Sequence, residues 1–185
     1  MHIQCMKVLQ GNTAVHSAVY PWLEEGKFSL FKPWESLLKI SRPMPLPSIE
    51  QRQLDSVAET WVGSSRPESM KEIFNESFRE LRLVYSLARA TQNSNRHVVV
   101  LAWMSRVPGE FVKLVETKVS EAMLILASYS VLLKRLEYLW WCRGIAETLL
   151  RVVRCEIGTD GNQKLNECLR WPIEEVLGNH EETAE

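Results

Sequence analysis

The chain has 185 residues, of which 45% are hydrophobic and 24% charged, and its formal net charge is −1. That length predicts a single domain. Such a domain buries roughly 70% of the surface that its unfolded chain exposes, so it needs no disulfide or metal to be stable. Acidic residues interrupt the main cluster of Lys and Arg, so we expect no direct nucleic-acid partner. We predict one helical domain over residues 1–178 and a disordered acidic tail over residues 179–185.

Several chemistries are excluded by residue types that are missing or badly spaced. The four cysteines form no Cys-x-x-Cys pair and have no histidine at zinc-ligand spacing, and no histidine has a carboxylate at metal-triad spacing. No glycine-rich phosphate loop and no Gly-x-Ser-x-Gly nucleophile elbow occurs. We therefore expect no metal and no cofactor. The cysteine usage and an N-terminus without signal-peptide character indicate a reducing compartment, cytoplasmic or nuclear.

Helical spacing dominates the first half of the chain, and prolines and serines divide it into segments. Ser48 is a predicted N-cap because its side chain can accept from the free amides of a first helical turn, and Ser65 is a second. Prolines between residues 33 and 47 deny a long helix there. The predicted elements are, in order, a helix over 2–25, a short helix over 34–40, an extended segment over 42–47, a helix over 49–61 and a helix from about 67 to 90.

The second half is also helical, with one ambiguous segment. Residues 98–104 contain enough β-branched side chains for a strand, but the sequence shows no partner strand. We therefore predict either a short helix or a buried extended piece. Pro172 is expected to follow a helix end, since proline lacks the amide that a helix interior needs. A polar break covers residues 91–95, and a short helix opens at Pro108 and Glu110 and ends at residue 115. The central helix covers about residues 119–138, and the next helix runs from residue 139 or 140 to 155. A turn at 158–161, a helix over 162–169 and a final turn over 171–177 complete the chain.

The chain is organised around one strongly apolar segment. Between residues 122 and 133 only Ser128 and Ser130 are polar, so a helix here would be buried on most of its surface. The segment is shorter than the roughly 20 apolar residues that a bilayer span requires, and we expect no membrane span. The predicted fold class is therefore all-α, a single-domain helical bundle around a buried central helix.

Four segments carry a resemblance to a known family. They are Arg-Val-Pro-Gly-Glu-Phe-Val at 106–112, the apolar run with its basic end at 122–137, Trp-Trp-Cys-Arg-Gly at 140–144 and Leu-Arg-Trp-Pro at 169–172. In order and spacing they resemble the C-terminal regulatory domain of fungal zinc binuclear-cluster transcription factors of the sterol uptake control type. The resemblance implies an all-helical fold with a hydrophobic pocket, which holds a sterol in the sterol-sensing members. It does not imply DNA binding, because the six-cysteine DNA-binding cluster is absent.

Candidate ligand-binding residues lie on and beside the central helix. A serine in a buried helix either donates back to its own helix or faces a ligand, and a buried tyrosine either reaches a neighbouring helix or lines a pocket. Two adjacent tryptophans cannot face the same way, so we expect one in the core and the other at a pocket or a partner surface. His97 is either an ordinary satisfied histidine or a general acid or base. The ligand-binding candidates are Tyr85, Trp103, Ser128, Tyr129, Leu132, Trp140 and Trp141, and no catalytic residue is assigned.

Three functions are compatible with this pattern. The first is a ligand-sensing module that binds a sterol- or terpenoid-like hydrophobic small molecule, as the resemblance implies. The second is a cofactor-free enzyme of fungal natural-product metabolism, such as a cyclase, an isomerase or a pericyclase of the Diels-Alderase kind, because holding a reactive conformer needs no cofactor. The third is a protein-interaction or dimerisation domain, with a homodimer as the simplest case.

Overall fold

The computed structural model describes residues 43–158 and 162–178. Within these ranges the chain forms seven α-helices, one 3-10 turn and no strand, so the all-α prediction is confirmed. The predictions for residues 1–42, for the turn at 159–161 and for the tail at 179–185 lie outside the described residues. The helices are α1 Ser48–Val62, α2 Glu68–Ala90, α3 Asn93–Arg106, α4 Gly109–Glu116, α5 Ser120–Lys134, α6 Ile145–Gly158 and α7 Gln163–Leu177, with the 3-10 turn Trp140–Cys142 between α5 and α6.

Helix α5 is the buried centre of the bundle. Every residue from Glu121 to Leu133 is buried, because apolar side chains occupy all sides of this helix rather than one stripe. Helices α6 and α7 pack most extensively against it, and α1, α2 and α4 also contact it. It ends at Lys134, four residues before the predicted end, and the amides of Leu136 and Glu137 then bond to carbonyls three residues earlier. In the described ranges no helix is both long and apolar enough to cross a membrane.

The N-termini of α1 and α2 differ from the sequence prediction. Pro47 and Pro67 occupy the N-cap positions, with φ of −56° and −53°, and neither helix has a side-chain cap bond. The predictions that Ser48 and Ser65 are the caps are therefore wrong. Both prolines have an extended backbone, with ψ of 147° and 143°, and their carbonyls accept hydrogen bonds from the first turn of each helix.

Two boundaries in the middle of the chain also differ. Residues 98–104 lie inside α3, which begins at Asn93, so the extended alternative is wrong and the polar break is shorter than predicted. Val99 and Trp103 are buried at helical spacing, and α3 packs against α2, which favours the helix. Helix α6 begins later than predicted because Gly144, with φ of +73°, separates it from the 3-10 turn.

Helix α7 continues through a proline where a helix end was expected. Asn162 caps it, since its side-chain oxygen accepts from the amide of Lys164 at 3.1 Å. Pro172 lies inside the helix and removes one backbone hydrogen bond. Trp171, Pro172 and Val176 are buried against the bundle, and this packing offsets the missing bond. The prediction that the helix ends at residue 169 is wrong.

Candidate functional site

The two serines of α5 use their hydroxyls within their own helix. Ser128 Oγ donates to the carbonyl of Leu124 at 3.1 Å, and Ser130 Oγ donates to the carbonyl of Ala127 at 2.6 Å. Both serines are fully buried. Of the two sequence interpretations, donation back to the preceding turn describes both residues.

Tyr129 and Trp103 join three helices in the core. Their ring centroids are 4.4 Å apart, and both side chains are buried. Tyr129 Oη donates to the carbonyl of Val100 on α3 at 3.1 Å, and Trp103 Nε1 donates to the carbonyl of Ser77 on α2 at 3.0 Å. Leu132 is fully buried one turn along α5 from Tyr129. These three candidates are parts of the packed core and provide a rigid frame for neighbouring groups.

Tyr85 of α2 lies where four helices meet. Its Oη donates to the carbonyl of Ser128 at 2.6 Å. The Trp171 ring of α7 lies 6.2 Å from the Tyr85 ring between centroids, and the Arg135 guanidinium, just past α5, lies 5.6 Å from the Tyr85 centroid. Arg135 Nη2 also donates to Glu50 Oε1 of α1 at 2.7 Å. We call Glu50, Tyr85, Arg135 and Trp171 the Tyr85 junction.

The Tyr85 junction contains one acidic and one basic side chain, and the carboxylate of Glu175 on α7 also acts on Tyr85 from outside it. Burial raises the pKa of Tyr85 well above its usual value, with the positive charge of Arg135 opposing the shift, so the phenol stays protonated at neutral pH. Glu50 and Arg135 form an ion pair and cancel one another's charge. The junction therefore suits an uncharged polar group better than an ionised one.

Two polar atoms of the Tyr85 junction have no hydrogen-bond partner within residues 43–158 and 162–178. They are Trp171 Nε1, a donor, and Glu50 Oε2, an acceptor, and both atoms are buried. Trp171 as a whole is only 5% exposed, so bulk water does not reach its N–H. Nearly all buried polar atoms in proteins are bonded, and unbonded ones mark a place for a water molecule or a ligand. A hydroxyl group can both accept and donate, and it can bond to either atom.

Of the four residues of the Tyr85 junction, only Tyr85 is among the ligand-binding residues predicted from the sequence. Glu50, Arg135 and Trp171 belong to different parts of the chain, and no local spacing connects them. The one available signal was Trp171 itself, a large residue in an amphipathic helix whose N–H usually needs a partner when buried.

Trp140 and Trp141 lie on the surface. Their exposed fractions are 80% and 41%, so the expectation that one of them is in the core is wrong. The Trp141 ring meets the His97 ring of α3 edge-on, with centroids 6.4 Å apart and planes at 87°. His97 Nδ1 is buried and has no hydrogen-bond partner in the part of the chain that the structure describes. The seven candidates thus divide into five core residues and two surface residues.

Lys134, at the end of α5, forms ion pairs with two carboxylates, one in the connection after α5 and one on α6. Its Nζ contacts Glu147 of α6 and lies 2.9 Å from Glu137. The hydrogen bond to Glu147 raises the pKa of Lys134 despite partial burial. Burial acts to raise the pKa of Glu147, but the hydrogen bond from Lys134 opposes it and the pKa lies below its usual value. Both groups therefore favour their charged forms in the folded state.

The comparisons with known proteins identify no relative. No family model, no curated protein and no solved structure matches the chain. Within residues 43–158 and 162–178, no group of three or more His, Cys, Asp or Glu side chains is arranged to hold a metal ion. The resemblance to the fungal regulators remains a prediction, and function has to be inferred from the geometry of these sites.

Proposed function

We propose that this chain binds a hydrophobic small molecule of the sterol or terpenoid type, and that the hydroxyl group of that molecule binds at the Tyr85 junction. The supporting observation is the pair of unbonded buried atoms, Trp171 Nε1 and Glu50 Oε2, beside the Tyr85 ring. Small-molecule sites between the helices of a bundle are mostly apolar, with a few polar groups that orient the ligand. Two aromatic rings with one free donor and one free acceptor match that composition.

The charge of the junction favours an alcohol over an acid or an amine. Glu50 and Arg135 already neutralise one another, so a further ionised group would lose its hydration without gaining an unpaired counter-ion. In this proposal the ligand hydroxyl accepts from Trp171 Nε1 and donates to Glu50 Oε2. Sterol and terpenoid alcohols combine one such hydroxyl with a large apolar body that can pack on aromatic rings.

The first test measures the binding of ergosterol and farnesol, each beside its methyl ether, to the full chain by equilibrium dialysis with mass detection. We expect one alcohol to bind saturably at one equivalent. Its methyl ether should bind about fivefold more weakly, because it cannot donate to Glu50 Oε2 and one hydrogen bond contributes about 1 kcal/mol. Trp171→Phe removes the indole N–H and should weaken alcohol binding by a similar factor.

Trp61→Phe is the matched control for that variant. Trp61 is as buried as Trp171, but its Nε1 already donates to Asn75 Oδ1 at 2.8 Å. This control should bind the alcohol with wild-type affinity. The proposal fails if no alcohol binds, or if both Trp variants lose affinity to the same extent.

A cofactor-free cyclase or isomerase is the second candidate, and Glu50 is the observation in its favour. A carboxylate with one unbonded oxygen in an apolar site can serve as a general base, and neighbouring aromatic rings stabilise positive charge on a carbon skeleton. The dialysis samples distinguish the two functions. Product in excess of the moles of protein, absent from a boiled control and lost in Glu50→Gln, indicates an enzyme, whereas unchanged ligand at one equivalent indicates a binding module.

A further inference from the structure

The connection between α5 and α6 displays three aromatic side chains to solvent. Tyr138, Trp140 and Trp141 are 50%, 80% and 41% exposed. The Trp140 side chain has no ring contact and no hydrogen bond to a described residue, and its exposure therefore gives up the stabilisation that burial of an apolar ring provides. We call these three residues the aromatic surface.

Buried neighbours hold the aromatic surface in place. Leu136 and Cys142 are fully buried, and Leu139 packs against the core. The amide of Leu139 donates to the carbonyl of Leu136, and the amide of Cys142 donates to the carbonyl of Leu139, each at 2.9 Å. These two turns direct Leu136, Leu139 and Cys142 towards the core. The aromatic residues between them therefore face the solvent. Their exposure is built into the connection.

The charges that border the aromatic surface cancel. Lys134 pairs with Glu137 and Glu147, and Arg143 Nε donates to the carbonyl of Glu137 at 3.4 Å. Two basic and two acidic side chains leave no net charge, so neither an acidic nor a basic partner is favoured. What remains is an aromatic, amphipathic and electrically neutral surface.

The size of the aromatic surface decides between a protein and a lipid partner. The exposed fractions amount to fewer than two whole aromatic side chains, on the order of 300–400 Å². A stable protein interface uses about 800 Å² on each partner. The aromatic surface by itself supplies at most about half of that area, whereas a bilayer is contacted by a few Trp and Tyr side chains at headgroup depth.

We propose that the aromatic surface docks on the headgroup region of a neutral phospholipid bilayer. Trp140, the most exposed residue, enters deepest, and Trp141 is held at its side by the edge contact with His97. The proposal does not depend on the Tyr85 junction, although a membrane is also where sterol and terpenoid alcohols partition.

The test is flotation of the full chain with phosphatidylcholine vesicles at low and high salt. We expect the wild-type chain to float with the vesicles equally at both salt concentrations, because no net charge is involved. Trp140→Ala should lower the partition coefficient at least about tenfold, since it removes the largest single share of the exposed aromatic area. Phosphatidylcholine brominated in its acyl chains should quench the tryptophan fluorescence of the wild type more than that of Trp140→Ala.

Val62→Ala is the control, because Val62 is also a largely solvent-exposed apolar residue, 64% exposed, and lies at the end of α1, outside the aromatic surface. It should float like the wild type, and so should Trp171→Phe, which separates this test from that of the Tyr85 junction. Three results would overturn the proposal. They are no flotation of the wild type, flotation only with phosphatidylserine and only at low salt, and a dimer in sedimentation velocity that Trp140→Ala dissociates.

Discussion

At the scale of single residues, three buried tryptophans differ in one hydrogen bond. The indole N–H of Trp61 donates to Asn75 Oδ1, and that of Trp103 donates to the carbonyl of Ser77. The indole N–H of Trp171 is buried and has no partner among the described residues. A buried donor without an acceptor costs about 1–3 kcal/mol, so an oxygen atom bound at this N–H would remove that cost.

This difference predicts the stability of two variants without any ligand. Trp171→Phe and Trp61→Phe each replace an indole ring by a phenyl ring, but only Trp61→Phe removes a formed hydrogen bond. We therefore expect Trp61→Phe to lower the free energy of unfolding by about 1 kcal/mol more than Trp171→Phe, measured by urea denaturation of both variants. A greater loss in Trp171→Phe would mean that its N–H is bonded in the ligand-free protein.

At the scale of elements, α5 and α6 are joined by an ion pair as well as by packing. Lys134 lies at the last residue of α5 and contacts Glu147 in the first turn of α6. Both side chains are about a quarter to a third exposed, so solvent screens part of their attraction. We assign the pair about 0.5–1 kcal/mol.

The pair predicts how stability depends on pH. The pKa of Lys134 is raised by its hydrogen bond to Glu147, so its contribution is complete below the unfolded lysine value, about 10.4, and is lost as pH rises through the folded value. The pKa of Glu147 is lowered, so its contribution is complete above the unfolded value, about 4.3, and is lost as pH falls through the folded value. Lys134→Met should flatten both slopes in urea denaturation across pH.

Lys164→Met is the control for this series, because Lys164 forms a longer and more exposed ion pair with Glu59, at 3.8 Å. Its slopes show how the loss of a surface lysine changes the free energy of unfolding when the ion pair between α5 and α6 is intact. Slopes in Lys134→Met that match the wild type would show that other groups govern the pH dependence.

At the scale of the whole molecule, one hydrophobic core includes residues from all seven described helices. No described helix buries its apolar side chains separately from the others. We therefore expect heat to unfold these helices in one transition, with the same midpoint by circular dichroism and by tryptophan fluorescence. Leu132→Ala should shift both midpoints together and cost about 2–5 kcal/mol, because it opens a cavity in the fully buried centre. Two separate midpoints would indicate independently folding parts.

Hydrophobic periodicity alone predicts the helical class and the central helix. Residues 122–133 are apolar on every side of a helix, so only full burial suits them, and the structure buries them all. The periodic apolar residues of α2 likewise predict its extent to residue 90. These features depend on residues close together in the chain, and periodicity records them directly.

Contacts between distant segments account for the features that local patterns do not predict. Helix α7 passes through Pro172 because burial of its neighbours outweighs one lost bond, and Trp140 is exposed because Leu139 and Cys142 occupy the core instead. The Tyr85 junction was not predictable, since Glu50 and Trp171 come from opposite ends of the described chain and meet only when α1 and α7 pack on α5. Packing of distant segments sets which polar atoms are left unbonded, and no local pattern encodes that.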